Sequence, residues 1–71
     1  MVVIGHGILR DYSSQVQLNG PITVSEVLDM VGLPEDLRVS TTVIKDGRAV
    51  SGREIVGDDD CIYLFIMLDG G

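Results

Sequence analysis

From its first residue the chain sets short apolar runs between polar breaks, and the period of each run predicts an element. "VVIGHGIL" is β-branched and aliphatic, which predicts a strand broken or bulged near Gly5 and Gly7. "RDYSS" supplies turn residues. "QVQLNG" then alternates so that Val16 and Leu18 share one face, and Asn19-Gly20 ends it. The expectation is an opening β-hairpin.

"PITVSEVLDMVGLP" changes period. Val24, Val27, Leu28 and Val31 fall at i, i+3, i+4 and i+7, one apolar stripe of an amphipathic helix. Thr23 and Glu26 have capping-box spacing, in which hydroxyl and carboxylate each satisfy a backbone N–H of the first turn. Gly32 suits a left-handed cap, and Pro34 prevents the helix from resuming. A helix of about two and a half turns follows from that stripe.

After a loop at "LPEDL", "RVSTTVIK" predicts a strand, Asp46-Gly47 a tight turn, and "RAV" a short return strand. "SGREIVGDDD" reads as a polar connection whose Ile55 and Val56 tuck into the core. "CIYLFIML" is the last and most apolar strand. Strands before and after one helix in so short a chain predict an α+β roll, the helix packed across one sheet face.

The last strand complicates this picture. With Ile62, Leu64 and Ile66 toward the helix, Cys61, Tyr63, Phe65 and Met67 face the other way, where no second helix exists to cover them. Tyr, Phe and Met are enriched at interface cores, so Tyr63, Phe65 and Met67 are candidate partner-docking residues. Loops, a homodimer or a mixed register are the alternatives.

Composition narrows the chemistry. Seventy-one residues allow one small domain with a thin core. One cysteine excludes an intramolecular disulfide, a four-cysteine zinc site and a four-cysteine iron–sulfur cluster. Eleven acidic against five basic residues give a net charge of −6, which argues against nucleic-acid binding and favours a basic partner surface. No apolar run reaches the roughly 18–20 residues of a membrane span, and no signal peptide is legible, so the expectation is a cytoplasmic protein. No catalytic or metal-ligating set emerges. His6 reads as a strand histidine and Cys61 as a small buried hydrophobe. Gly5-His6-Gly7 is not read as a phosphate loop, because no helix is expected after it.

The sequence ends "FIMLDGG". Glycine lacks a Cβ, so a Gly-Gly end threads passages too narrow for other residues and carries the least hindered carboxylate a protein offers. The expected organisation is a domain over residues 1–68 and a flexible C-terminal Gly-Gly tail over 69–71. Three extended residues reach roughly 10 Å beyond the fold.

With an initial hairpin, the helix "TVSEVLDMVGLP", the turn "KDGR", the acidic turn "VGDDD" and a final "GG", the chain resembles the ubiquitin-like β-grasp sulfur carriers. These are the molybdopterin-synthase small subunit and the thiamine-pathway carrier. The resemblance implies a ubiquitin-like β-grasp fold, a mixed sheet of four to five strands with one helix across one face. It implies that an E1-like adenylating enzyme uses ATP and Mg²⁺ to activate the carboxylate of Gly71, with Gly70 threading the partner's channel. Sulfur then displaces AMP, and the thiocarboxylate passes to a sulfur-acceptor synthase. The chain itself would be carrier and substrate, with no cofactor bound and no enzyme activity of its own. Asp69, before the glycine pair, is an unusual charge for an end entering an anionic ATP site. Two alternatives remain open here: a ubiquitin-like protein modifier conjugated through Gly71, and a plain β-grasp binding module.

Overall fold

The computed structural model describes residues 1–66, and within them the helix forms as its signals require. Helix α1 spans Val24–Val31 with Thr23 at its N-cap. The Glu26 N–H donates to Thr23 Oγ1 at 3.2 Å, and the Thr23 N–H donates to Glu26 Oε1 at 3.1 Å, so the capping box is closed both ways. At the other end Gly32 takes the left-handed conformation (φ 79°), and the Gly32 and Leu33 N–H groups donate back to Asp29 and Leu28. Val24, Val27 and Leu28 are buried, as the stripe requires.

The main sheet has five strands. β1 (Val2–Gly5), β2 (Ser14–Gln15), β4 (Thr41–Lys45), β5 (Arg48–Val50) and β7 (Cys61–Ile66) lie in the order β2-β1-β7-β4-β5. β1 and β7 run parallel at the centre, while the outer pairs are antiparallel. The most apolar strand therefore sits where both its edges are hydrogen-bonded, and the two free edges are short. Asp46 (φ 53°) and Gly47 (φ 81°) form the two-residue turn between β4 and β5, both left-handed as a type I′ hairpin requires.

The core lies between this sheet and α1. Val3 and Ile62 are register partners, as are Val43 and Leu64, and all four turn toward the helix and are buried with Val24, Val27 and Leu28. Burying each such side chain stabilises by about 2 kcal/mol, so a handful of residues hold the fold. Among the described residues, no helix is long and apolar enough to cross a membrane.

Several expectations are corrected. The return strand of the first hairpin is Ser14–Gln15 rather than the stretch around Val16 and Leu18. Those two residues still turn inward, Val16 partly and Leu18 fully buried, so the alternation survives where the ladder does not. A 3-10 helix (Gly7–Tyr12) fills the connection and buries Leu9. "PEDLR" is not a bare loop: Glu35–Arg38 makes a one-turn helix, α2. Arg38 ties it to α1, its Nε donating to the Leu33 carbonyl at 2.8 Å and its guanidinium lying 2.6 Å from Asp29. Val39 is exposed outside the strand. Of the pair expected in the core only Val56 is buried, and Ile55 is 55% exposed. The pair forms β6 (Ile55–Val56), which joins β3 (Ile22–Thr23) in a separate two-stranded sheet, and adjacent strand residues face opposite ways.

The acidic turn before β7 has a structural task. The Met1 ammonium donates to the Asp58 carbonyl, the Leu18 N–H donates to Asp58 Oδ1 at 2.8 Å, and the Val2 N–H donates to the Asp60 carbonyl at 3.0 Å. Asp60 closes its own turn by accepting the Gly57 N–H at 2.7 Å. The main-chain carbonyls of Asp58 and Asp60 thus pin the start of β1 to the entrance of β7, and the Asp58 carboxylate pins the Leu18 loop there.

Candidate functional site

The sheet face turned away from α1 is built from the alternate residues of four strands. Register places Ile4, Tyr63, Ile44 and Ala49 in one row across β1, β7, β4 and β5. Val2 lies opposite Cys61 on one side of that row, and Thr42 opposite Phe65 on the other. The face is therefore apolar at its centre. It is only half open, because neighbours shield one another: Tyr63 is 38% and Val2 36% exposed, while Ile4, Ile44, Cys61 and Phe65 are half-buried.

His6 belongs to this face. Its N–H donates to the Leu64 carbonyl at 3.0 Å, continuing the β1–β7 pairing one step past the strand. Its imidazole stacks on Phe65 with ring centroids 4.4 Å apart and planes 5° from parallel, and lies 5.9 Å from Tyr63. Beside this stack His6, Gly7, Ile8, Phe65 and Ile66 line an apolar groove of about 360 Å³. Ile8, on the 3-10 helix, is 70% exposed at its rim.

Tyr63 and Phe65 thus stand together on the outer face, as read from alternation. Met67, Gly70 and Gly71 lie outside the described residues, as does the expected 69–71 tail. Cys61 stands on the outer face with Tyr63, as the alternation placed it, but is half-buried rather than buried. His6 is not an isolated strand histidine but the cover of Phe65. A helix does follow Gly5-His6-Gly7, although it is the short 3-10 helix. His6, Ile4 and Ile44 were missed as site residues. The signal for Ile4 and His6 was their shared parity with Val2, usable only once β1 is known to lie parallel to β7.

The electrostatics of the face are mild. Cys61, as hydrogen-bond partner and charge neighbour, holds the Tyr63 phenol above its ordinary pKa, with burial a smaller cause. The phenol stays neutral through the physiological range. Among the described residues no three histidine, cysteine or carboxylate side chains converge as a metal site. The arrangement is a half-shielded apolar and aromatic surface.

No family model and no curated protein matches this sequence. Among solved structures, the chain is similar to the crystal structure of a thiamine biosynthesis protein (ThiS) from Geobacter metallireducens. The TM-score is 0.66 at 20% identity, over 100% of both chains. The family resemblance read from the sequence is thereby borne out in the fold: this chain is a ubiquitin-like β-grasp domain with the architecture of that thiamine biosynthesis protein.

Proposed function

We propose that the chain is a sulfur carrier protein acting in cofactor biosynthesis of the thiamine or molybdopterin kind. The observation that carries this reading is the full-length fold likeness to a thiamine biosynthesis protein in a sequence that ends Gly70-Gly71. An E1-like partner adenylates the Gly71 carboxylate with ATP and Mg²⁺. Activation is needed because a carboxylate is a poor electrophile, and a mixed anhydride with AMP supplies a good leaving group. Sulfur then displaces AMP, and the resulting thiocarboxylate is delivered to an acceptor synthase.

In this reading the chain supplies a tail and a grip, and the partner supplies the chemistry. Gly70 threads the partner's channel. Tyr63 and Phe65, with Met67 two residues beyond, are the docking residues, and His6 extends them. A soluble cytoplasmic setting fits the ATP-dependent partner.

The test is incubation with the host's adenylating enzyme, ATP and a sulfur donor. The intact mass should rise by the difference between one sulfur and one oxygen atom, and deletion of Gly71 should abolish the rise without lowering the melting temperature. A chain whose mass never changes would overturn the carrier reading. Recovery of the chain in amide linkage to lysines of other proteins would replace it with the modifier reading.

A further inference from the structure

An activated acyl group reacts with the first competent nucleophile it meets, and a neutral lysine amine is a good one. Lys45 is the sole lysine of the sequence. Alternation along β4 puts it on the helix side with Val43, at the rim where the core ends. Its ammonium donates to Glu54 Oε2 at 3.3 Å and lies 3.7 Å from Asp46 Oδ2, and the side chain is only 15% exposed. A lysine beside a hairpin turn is ordinarily solvated at its tip, so this degree of cover needs a cause.

The cause is the placement of Glu54. Its N–H donates to the Ser51 carbonyl at 3.1 Å, and its own carbonyl accepts the Val24 N–H at 2.9 Å. Glu54 is thereby held by its backbone at the start of α1, with its carboxylate under the β4–β5 hairpin. The other amine of the chain is treated alike: the Met1 ammonium donates to the Asp58 carbonyl and lies 3.5 Å from Asp58 Oδ1. Each amine sits against a carboxylate in a protein whose proposed task is to carry an activated acyl end.

We infer that Glu54, assisted by Asp46, is a specificity residue that shields Lys45 from acylation, so that the activated end of this or a neighbouring copy is captured by sulfur and not by nitrogen. The inference rests on the carrier reading above. In the suppressed step the amine lone pair attacks the acyl carbon of the mixed anhydride. A C–N bond forms, the C–O bond to phosphate breaks, AMP departs with the electron pair, and the surplus proton on nitrogen goes to water. That step needs a deprotonated amine with an open approach, and the ion pair opposes both. The hydrogen bond to Glu54 raises the Lys45 pKa, partly opposed by burial, and the charges of Asp60, Glu54 and Asp46 add to the rise. The neutral fraction near pH 7 falls accordingly.

The experiment uses N-hydroxysuccinimidyl acetate on the intact chain, with acetylation of Lys45 followed by peptide mass mapping. Folded protein should be acetylated at Lys45 several-fold more slowly than the same protein unfolded in guanidinium chloride. Glu54→Gln should recover much of that difference, and Asp46→Asn, in the exposed turn, a smaller part of it. Asp36→Asn, on α2, should leave the rate unchanged. Thermal melts establish that the variants are folded, and Asp46→Asn keeps the test decisive if Glu54→Gln is not. Equal rates in folded and unfolded protein, or folded variants no faster than wild type, would overturn the shield. The reagent needs no activating enzyme, so the two readings fail separately: a missing thiocarboxylate removes the carrier, and unprotected Lys45 removes the shield.

Discussion

The imidazole of His6 lies flat on the ring of Phe65, centroids 4.4 Å apart, although the two residues sit near opposite ends of the sequence. The contact exists because β1 and β7 are parallel neighbours and His6 continues their pairing past Gly5. It makes Phe65 half of a two-ring platform on the outer face, at the end of β7 from which the chain continues to Gly71.

If that platform docks the adenylating enzyme, Phe65→Ala should weaken binding by about 2 kcal/mol, roughly 30-fold, as removal of a central aromatic anchor does. His6→Ala should cost about 1 kcal/mol, because the imidazole is exposed and contributes chiefly its stacking surface. Calorimetric titration of the two variants against the enzyme measures both. Unchanged affinity in each would move the docking surface elsewhere.

The capping box offers a test that does not depend on function. Thr23→Ala removes the acceptor for the Glu26 N–H and should destabilise the domain by about 1 kcal/mol. In a chain of this size that lowers the melting temperature by about 4–8 °C. A thermal melt followed by far-ultraviolet circular dichroism reads it directly.

Gly5 sits where the 3-10 helix folds back over β1, its N–H donating to Ser13 Oγ at 2.8 Å. A methyl group at residue 5 would overlap the Leu9 carbonyl, a backbone atom that cannot swing aside. Gly5→Ala should therefore cost at least about 2 kcal/mol by forcing backbone movement. At Gly20 nothing lies within 4 Å of the added carbon, so Gly20→Ala should be close to neutral. Paired chemical-denaturation curves compare the two.

Asp58 makes acid stability predictable in sign. Its carboxyl is held below the usual value, first by the Leu18 N–H and then, against an opposing cost of burial, by the Met1 ammonium. A carboxyl depressed on folding contributes stability that is fully present above its unfolded pKa, about 3.9, and is lost as pH falls through the lower folded value. Asp58→Asn should thus be less stable than wild type near neutrality. The gap should narrow between about pH 5 and pH 2 as the wild-type carboxylate takes up its proton. Thermal melts of both proteins across that range measure it, and a constant gap would show that charge at Asp58 is not the cause.

Residue order alone carried whatever depends on neighbours within a few positions. The Thr23–Glu26 box, the Gly32 cap and the Asp46-Gly47 turn all formed where the spacing put them, because their hydrogen bonds close within one turn of chain. The two faces of "CIYLFI" were legible for the same reason: alternation in a strand is local. Tertiary pairing decided the rest. Asp58 meets Leu18 across 40 residues and Met1 across 57, and no local pattern states which acidic residue of "DDD" will do so. The β6 pairing that turned Ile55 outward, and the parallel register that laid His6 on Phe65, likewise rest on contacts between segments far apart in sequence. Those contacts are selected by how the few core side chains fill the space between sheet and helix, and that choice belongs to the folded chain as a whole.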